Sequence, residues 1–235
     1  MDAGRTTRTV GVIGGMGPAA TVHFMVRVLA LTPAKADQDH VRLIVDNNGG
    51  VLDRNAAIRG EGPSPARAMA DMARGLERAG SQILVMPCNT AHAFAAAVRA
   101  ATDLPFIDLI EATCDEAMAA RPRRVGVLAA DGCRRAGLYQ AAFARRGVEA
   151  LLGDADDHAA FMELVYRIKA GDLGPDVRAG MRSLAERLIS AGGEGIVAGC
   201  SEVPRVLAPD DLSAPLIDSI DALARATIAA AGGRP

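Results

Sequence analysis

Along this chain, short apolar runs alternate with stretches in which apolar residues recur at helical spacing. The runs cover residues 9–13, 41–45, 82–86, 106–108, 125–128, 149–151, 195–198 and 216–218, lengths suited to buried strands. Helical periodicity covers 19–31, 65–79, 90–101, 110–119, 137–146, 157–170, 176–191 and 219–231. Glycine and proline mark the joints, as in Gly60-Glu61-Gly62-Pro63 and over 171–175. Strand alternating with helix predicts parallel sheets with helical crossovers.

The pattern also repeats. Val10-Gly11-Val12-Ile13-Gly14-Gly15 returns in character as Val125-Gly126-Val127-Leu128-Ala129-Ala130, about 115 residues later. In each half a later apolar strand ends at a cysteine motif: Met86-Pro87-Cys88-Asn89-Thr90, then Ala198-Gly199-Cys200-Ser201-Glu202. The predicted fold class is therefore α/β, with two similar domains related by pseudo-twofold symmetry, each a central parallel sheet flanked by helices. The boundary is expected within 110–122: residues 1–113 form the first domain, completed by the last strand and helix at 215–235, and 114–214 form the second. Strand ends facing one crevice would bring the two thiols to a shared cleft.

Composition narrows the function classes. The net charge is −2 with no basic block, and aromatic residues are 3% of the chain, which disfavours nucleic acid as a partner. Half of the residues are apolar, ample for a core, yet no run reaches the roughly 18 to 20 residues of a membrane helix. Arg5 and Arg8 precede an apolar run as in a secretory leader, but Gly14-Gly15 and Gly17-Pro18 interrupt it. The four cysteines, at 88, 114, 133 and 200, fit neither a CxxC metal pattern nor a tight disulfide framework. Reduced thiols in a cytoplasmic protein are the expectation.

Cys88 and Cys200 each follow a strand and stand where a helix is predicted to begin, so backbone N–H groups and the helix dipole would favour a thiolate. A thiolate on one face of a carbon and a thiol on the other can remove a proton and return one from the opposite side, yielding the mirror image. A single free cysteine is often only packing, and Cys114, on an apparently amphipathic helix, keeps that interpretation. Matched positions in a repeat favour chemistry for the other two. Asn89, Thr90 and Ser201, beside the sulfurs, could bind substrate and stabilise developing charge, or serve as helix caps. Glu202 and His92 could each tune a thiol.

Gly14-Gly15-Met16-Gly17-Pro18-Ala19-Ala20-Thr21, Asp37-Gln38-Asp39-His40, Asp53-Arg54, Met86 through His92 and Gly199-Cys200-Ser201-Glu202 together resemble the aspartate/glutamate racemase family, from about residue 9 to about residue 220. The resemblance implies a cofactor-independent amino-acid racemase with catalytic Cys88 and Cys200, acting on aspartate or glutamate and forming a homodimer; racemisation without a cofactor as electron sink calls for a shielded cleft, so closure over the substrate is expected. It implies substrate contacts from Met16, Arg54, Asn89, Thr90, Cys133, Lys169 and Ser201. Lys169 and Lys35 are the only lysines among 26 basic residues, and Lys169 matches a family position that contacts a substrate carboxylate. Arg54 matches the family's substrate-binding arginine, whose fork suits a carboxylate. No pyridoxal phosphate or metal is implied; a Schiff base could use only Lys35 or Lys169.

Two departures bear on the substrate. Asn48-Gly49-Gly50-Val51-Leu52-Asp53-Arg54 lacks the family's prolines and should be more flexible. Gly132-Cys133-Arg134-Arg135-Ala136-Gly137 replaces two hydroxyls of a Gly-Thr-x-x-Ser-Gly segment and adds charge, which suggests a longer or differently polar acid. Same-fold enzymes that racemise hydantoins, isomerise maleate or decarboxylate malonates are alternatives. A different chemistry is raised by Gly15-Met16-Gly17-Pro18-Ala19-Ala20, which fits a dinucleotide fingerprint with Asp46 as the ribose acid, as in a nicotinamide-dependent oxidoreductase.

Overall fold

The computed structural model describes residues 7–232; Arg5, weighed above as a leader-like charge, lies outside them. The elements run β1 (Val10–Gly14), α1 (Pro18–Leu31), β2 (Leu43–Asn47), α2 (Arg54–Arg59), α3 (Ala66–Arg78), β3 (Ile83–Val85), α4 (Ala95–Arg99), β4 (Phe106–Ile107) and α5 (Leu109–Ala117). They continue as β5 (Arg124–Ala129), α6 (Asp131–Arg135), α7 (Leu138–Ala144), β6 (Glu149–Leu151), α8 (Ala155–Lys169), α9 (Pro175–Ser190), β7 (Ile196–Gly199), β8 (Leu216–Asp218) and α10 (Ser219–Ala230).

The strands form two four-stranded parallel sheets, ordered β2-β1-β3-β4 and β6-β5-β7-β8. Each sheet has its glycine-punctuated strand second in order and its cysteine-bearing strand third. Val12 is in register with Val85 in the first sheet, and Ala129 with Gly199 in the second. β1 is buried along its whole length, as a central strand covered on both faces requires.

The chain divides into two compact units, one running through Ala112 and resuming at Ile220, the other Thr113–Ser219. The core of the first gathers Ile13, Met69, Leu84 and Met86; that of the second gathers Val165, Met181, Ile196 and Ala198. The C-terminal segment divides in a way the sequence did not indicate. β8 pairs with β7 in the second sheet, not with the first half as expected, and only α10 belongs to the first unit. α10 buries Ile220, Leu223 and Ile228 there, and Arg27 of α1 donates to Asp221 across 2.8 Å.

Local chemistry explains the remaining differences. α2 is a six-residue helix inside what read as loop: the Asp53 side chain accepts from Asn55 N–H at its start and Gly60, at φ 75°, ends it. α6 is shorter still, below the length at which periodicity registers. The stretch 90–101, expected as one helix, begins as a 3-10 segment, Thr90–Phe94. In an α-turn the Cys88 carbonyl would accept from the His92 amide; instead it accepts from the His92 ring Nδ1 at 2.8 Å, and the amide turns to Asn89 O. α1 presents Val22, Met25, Val26 and Leu29 outward, 39–58% exposed, opposite its buried stripe of Ala20, Phe24 and Val28.

Candidate functional site

In the first unit the candidate residues gather where β1, β2 and β3 end, the edge at which parallel α/β sheets take ligands. Gly15 sits at φ 91°, and a Cβ there would lie 2.2 Å from the carbonyl carbon of Asn48, so the turns after β1 and β2 touch. Its N–H donates to Thr21 Oγ1 at 2.9 Å, which fastens the turn to the first turn of α1. This contact accounts for the glycine without a bound nucleotide. Met16 and Val51 belong to one buried cluster, and Cys88 packs against it.

Cys88 is half-buried, while Asn89 and Thr90 behind it are buried. Asn89 makes no side-chain cap to the 3-10 segment that follows, contrary to its expected structural role. His92 is fully buried, and its tautomer follows from its partners. Nε2 accepts from Leu109 N–H at 3.0 Å, so the proton is on Nδ1, the nitrogen that donates to the Cys88 carbonyl. Burial is the larger influence on the ring and holds its pKa below the ordinary value, against the opposing charge of Asp108.

Arg54 opens α2, and its Nη1 donates to the carbonyls of Val51 and Leu52 at 3.1 and 3.0 Å. Gly50 N–H donates to Asn48 Oδ1 at 2.9 Å. The 48–54 segment, expected to be loose for want of prolines, is thus tied by its own hydrogen bonds.

In the second unit β7 delivers Cys200 from a tightly packed strand end. A Cβ on Gly199 would meet the Tyr139 ring at 2.9 Å and Leu128 O at 3.1 Å. Tyr139 is fully buried and hydrogen-bonded to the side chains of Thr113 and Ser219; burial pushes its phenol well above the usual range. Ser219 in turn donates to the Ala198 carbonyl at 2.8 Å. These contacts set the direction in which the chain leaves the sheet.

Cys200 is 8% exposed, and its Sγ donates to Glu202 Oε2 at 2.9 Å; Ser201 Oγ donates to the same oxygen at 3.2 Å. Burial first, and the Glu202 carboxylate second, raise the thiol well above its ordinary 9.0, with Lys169 pulling the other way. The expectation of a thiolate favoured by a helix N-terminus is therefore corrected here. Both influences favour the thiol at Cys200, and the segment directly after it is a single 3-10 turn, Val203–Arg205, not an α-helix. Lys169 ends α8 exposed, near enough for its charge to act on the Cys200 sulfur. Arg205 donates to Ile168 O at 3.2 Å and joins the turn after Cys200 to that helix end.

In the second unit Ser201 stands beside Cys200, and Arg205 ties the turn after them to the helix end that carries Lys169, whereas Cys133 lies on α6 at 1% exposure, a packed interior position. The charge added beside it is turned onto the protein's own acceptors: Arg134 donates to Gly153 O at 2.7 Å and Arg135 to Asp131 at 2.8 Å. Cys114 is fully buried, in line with packing. The sequence offered Glu202 and His92 only as possible tuners of a thiol; adjacency to the cysteine was the signal for both. Nothing in the sequence marked Tyr139.

Over residues 13–227 the chain matches the family described as Asp/Glu/Hydantoin racemase. The broad specificity amino-acid racemase RacX of Bacillus subtilis is 26% identical over 223 residues, covering 93% of this chain and 96% of that protein. A glutamate racemase of Deinococcus radiodurans is 36% identical over 141 residues, 59% of this chain and 47% of that enzyme. Among solved structures, an aspartate racemase of Picrophilus torridus matches with a TM-score of 0.82 at 29% identity, over 97% of this chain and 95% of that one.

Proposed function

Because this chain belongs to the Asp/Glu/Hydantoin racemase family, we propose that it interconverts the L and D forms of an acidic amino acid, aspartate or glutamate, with Cys88 and Cys200 as the two bases. Family membership makes it a racemase. The two bases are supported chiefly by one observation: β3 and β7 hold the same place in sheets of the same order, and a cysteine follows the C-terminal end of each.

In the proposed step, one sulfur as thiolate takes the α-hydrogen as a proton, and the bonding pair stays on Cα, delocalised into the carboxylate. The other sulfur, a thiol, gives its proton to the opposite face, so the two sulfurs exchange protonation states and the reaction balances without a cofactor. The hydrogen bond that Cys200 Sγ donates to Glu202 suits it to the donor role, with Cys88 as the opening base. Arg54 and Lys169 are the cations suited to the two carboxylates, Arg54 by a fork and Lys169 as a point charge. Asn89, Thr90 and Ser201 supply polar groups next to the sulfurs, where charge develops. A homodimer is part of the proposal, supported by the apolar stripe that α1 leaves exposed, and sedimentation velocity is its test.

The test of the reaction is proton NMR in heavy water with each enantiomer of aspartate and glutamate. Loss of the α-proton signal with formation of the opposite hand is expected for at least one acid. No exchange with any of the four would overturn the proposed substrate class and direct the search to hydantoins and other acids.

A further inference from the structure

We propose that His92 is the positioning residue for Cys88: its ring clamps the Cys88 carbonyl to the start of α5 and so fixes the direction in which the sulfur leaves the backbone. The inference rests on the two-base proposal above and adds to it a residue that acts on the reaction only through Cys88.

Both backbone groups of Cys88 are held. Its N–H donates to Met86 O at 2.8 Å, and its carbonyl accepts from His92 Nδ1, also at 2.8 Å. With the peptide planes on either side fixed, φ and ψ of Cys88 are fixed as well, and the sulfur keeps only the staggered choices about χ1. The clamp on the carbonyl is a side-chain one, because the His92 amide turns to Asn89 O at 3.1 Å.

The far end of the clamp is anchored. Nε2 accepts from the N–H of Leu109, the first residue of α5, at 3.0 Å. That helix start is itself braced: Ile110 and Glu111 N–H donate to Asp108 Oδ1 at 2.9 and 3.2 Å, and Arg99 donates to Asp108 Oδ2 at 2.7 Å. The ring lies tilted against Phe106, with centroids 5.6 Å apart. Burial disfavours a charge on the imidazole, so Nε2 remains an acceptor and both bonds persist. Cys88 is thereby tied through one ring to the junction of β4 and α5.

For a base, the direction of the sulfur matters. It must come within hydrogen-bond reach of the α-hydrogen, and a displacement of about 1 Å costs on the order of a hundredfold in rate. Binding is separate, since Arg54 and Lys169 carry the carboxylates in the proposed reaction. Loss of the clamp therefore lowers kcat and leaves KM nearly unchanged.

The experiment compares His92→Leu, which removes both ring bonds, with His92→Asn, whose side-chain nitrogen stands on Cγ as Nδ1 does and can still donate to the Cys88 carbonyl. Both lose the Leu109 contact, so both are destabilised. For the Leu variant kcat is expected to fall about tenfold or more with KM within about threefold of wild type, and the Asn variant is expected to recover most of that loss. Amide hydrogen exchange at Cys88, followed by NMR, is expected to quicken about tenfold in the Leu variant and to stay near wild type in the Asn variant. Should His92→Leu not fold, as judged by its thermal transition, His92→Gln is read in its place, because its amide nitrogen stands one bond further out and does not superpose on Nδ1. An unchanged kcat in the folded Leu or Gln variant overturns the role of His92. Equal losses in that variant and in the Asn variant overturn it too, since the loss would then follow packing and not the clamp. Quickened exchange at Cys88 in a protein that racemises no amino acid supports the clamp while removing the two-base proposal.

Discussion

Two sulfurs at corresponding strand ends have unlike surroundings. Cys88 is half-buried against an apolar cluster, with its carbonyl held by His92, whereas Cys200 is nearly enclosed and bonded to a carboxylate. If both are bases, Cys88→Ala and Cys200→Ala should each lower kcat/KM by about a thousandfold, with the thermal transition kept, since each removes one proton-transfer partner. Full activity in either variant, measured by the NMR assay, would refute the assignment. His92 yields a stability prediction with a definite sign. Its folded pKa is depressed by burial below 6.5, so near and below that pH the unfolded chain binds a proton the folded chain refuses. Its stabilising share is complete above 6.5 and is lost as pH falls toward the folded value. Calorimetry should show the melting temperature falling on acidification. His92→Gln should flatten that slope and cost about 2 kcal/mol near neutral pH through orphaned partners at Cys88 O and Leu109 N. Equal slopes in the two proteins would contradict the buried neutral imidazole. The cysteines and their polar neighbours were legible from residue type and repetition; the burial of Cys200 and its hydrogen bond to Glu202 were not, because they depend on packing and on where Glu202 turns.

At the scale of elements, the strands were legible because a buried parallel strand is an uninterrupted apolar run, and all eight stand within two residues of their expected positions. Elements held by single contacts were not. The 3-10 opening at Thr90–Phe94 depends on a ring nitrogen taking the carbonyl that an α-turn would use, and the α2 helix depends on one cap and one left-handed glycine. The turn after β1 is similarly determined by a contact, that of Gly15 with Asn48. Gly15→Ala is expected to destabilise by at least about 2 kcal/mol, since alanine at φ 91° is strained and its Cβ would overlap backbone. Chemical denaturation would measure this, and a loss below about 0.5 kcal/mol would mean that the two turns separate at little cost.

For the whole molecule, the path of the chain ends matters most. Arg8 donates from side chain and backbone to the carbonyls of Ala230 and Ala231, and α10 buries Ile220, Leu223, Ala224 and Ile228 in the first unit. Each such side chain is worth roughly 1.5–3 kcal/mol when fully buried, apart from the smaller alanine. Removing residues 219–235 should therefore abolish cooperative melting of the first unit. Circular dichroism would read this, and an unchanged transition would show that α10 is dispensable. No helix among the described residues is long and apolar enough to cross a membrane. By itself the sequence determined the α/β class, the repeat of sheets and the cysteine that closes the third strand of each, because burial and periodicity act locally and leave their mark in residue order. Only the tertiary structure decided that β8 joins the second sheet while α10 returns to the first unit, that Cys133 is interior and that Cys200 and Ser201 both donate to Glu202. Those outcomes depend on contacts between residues distant in sequence, or on the direction of one side chain, and neither is encoded in a period.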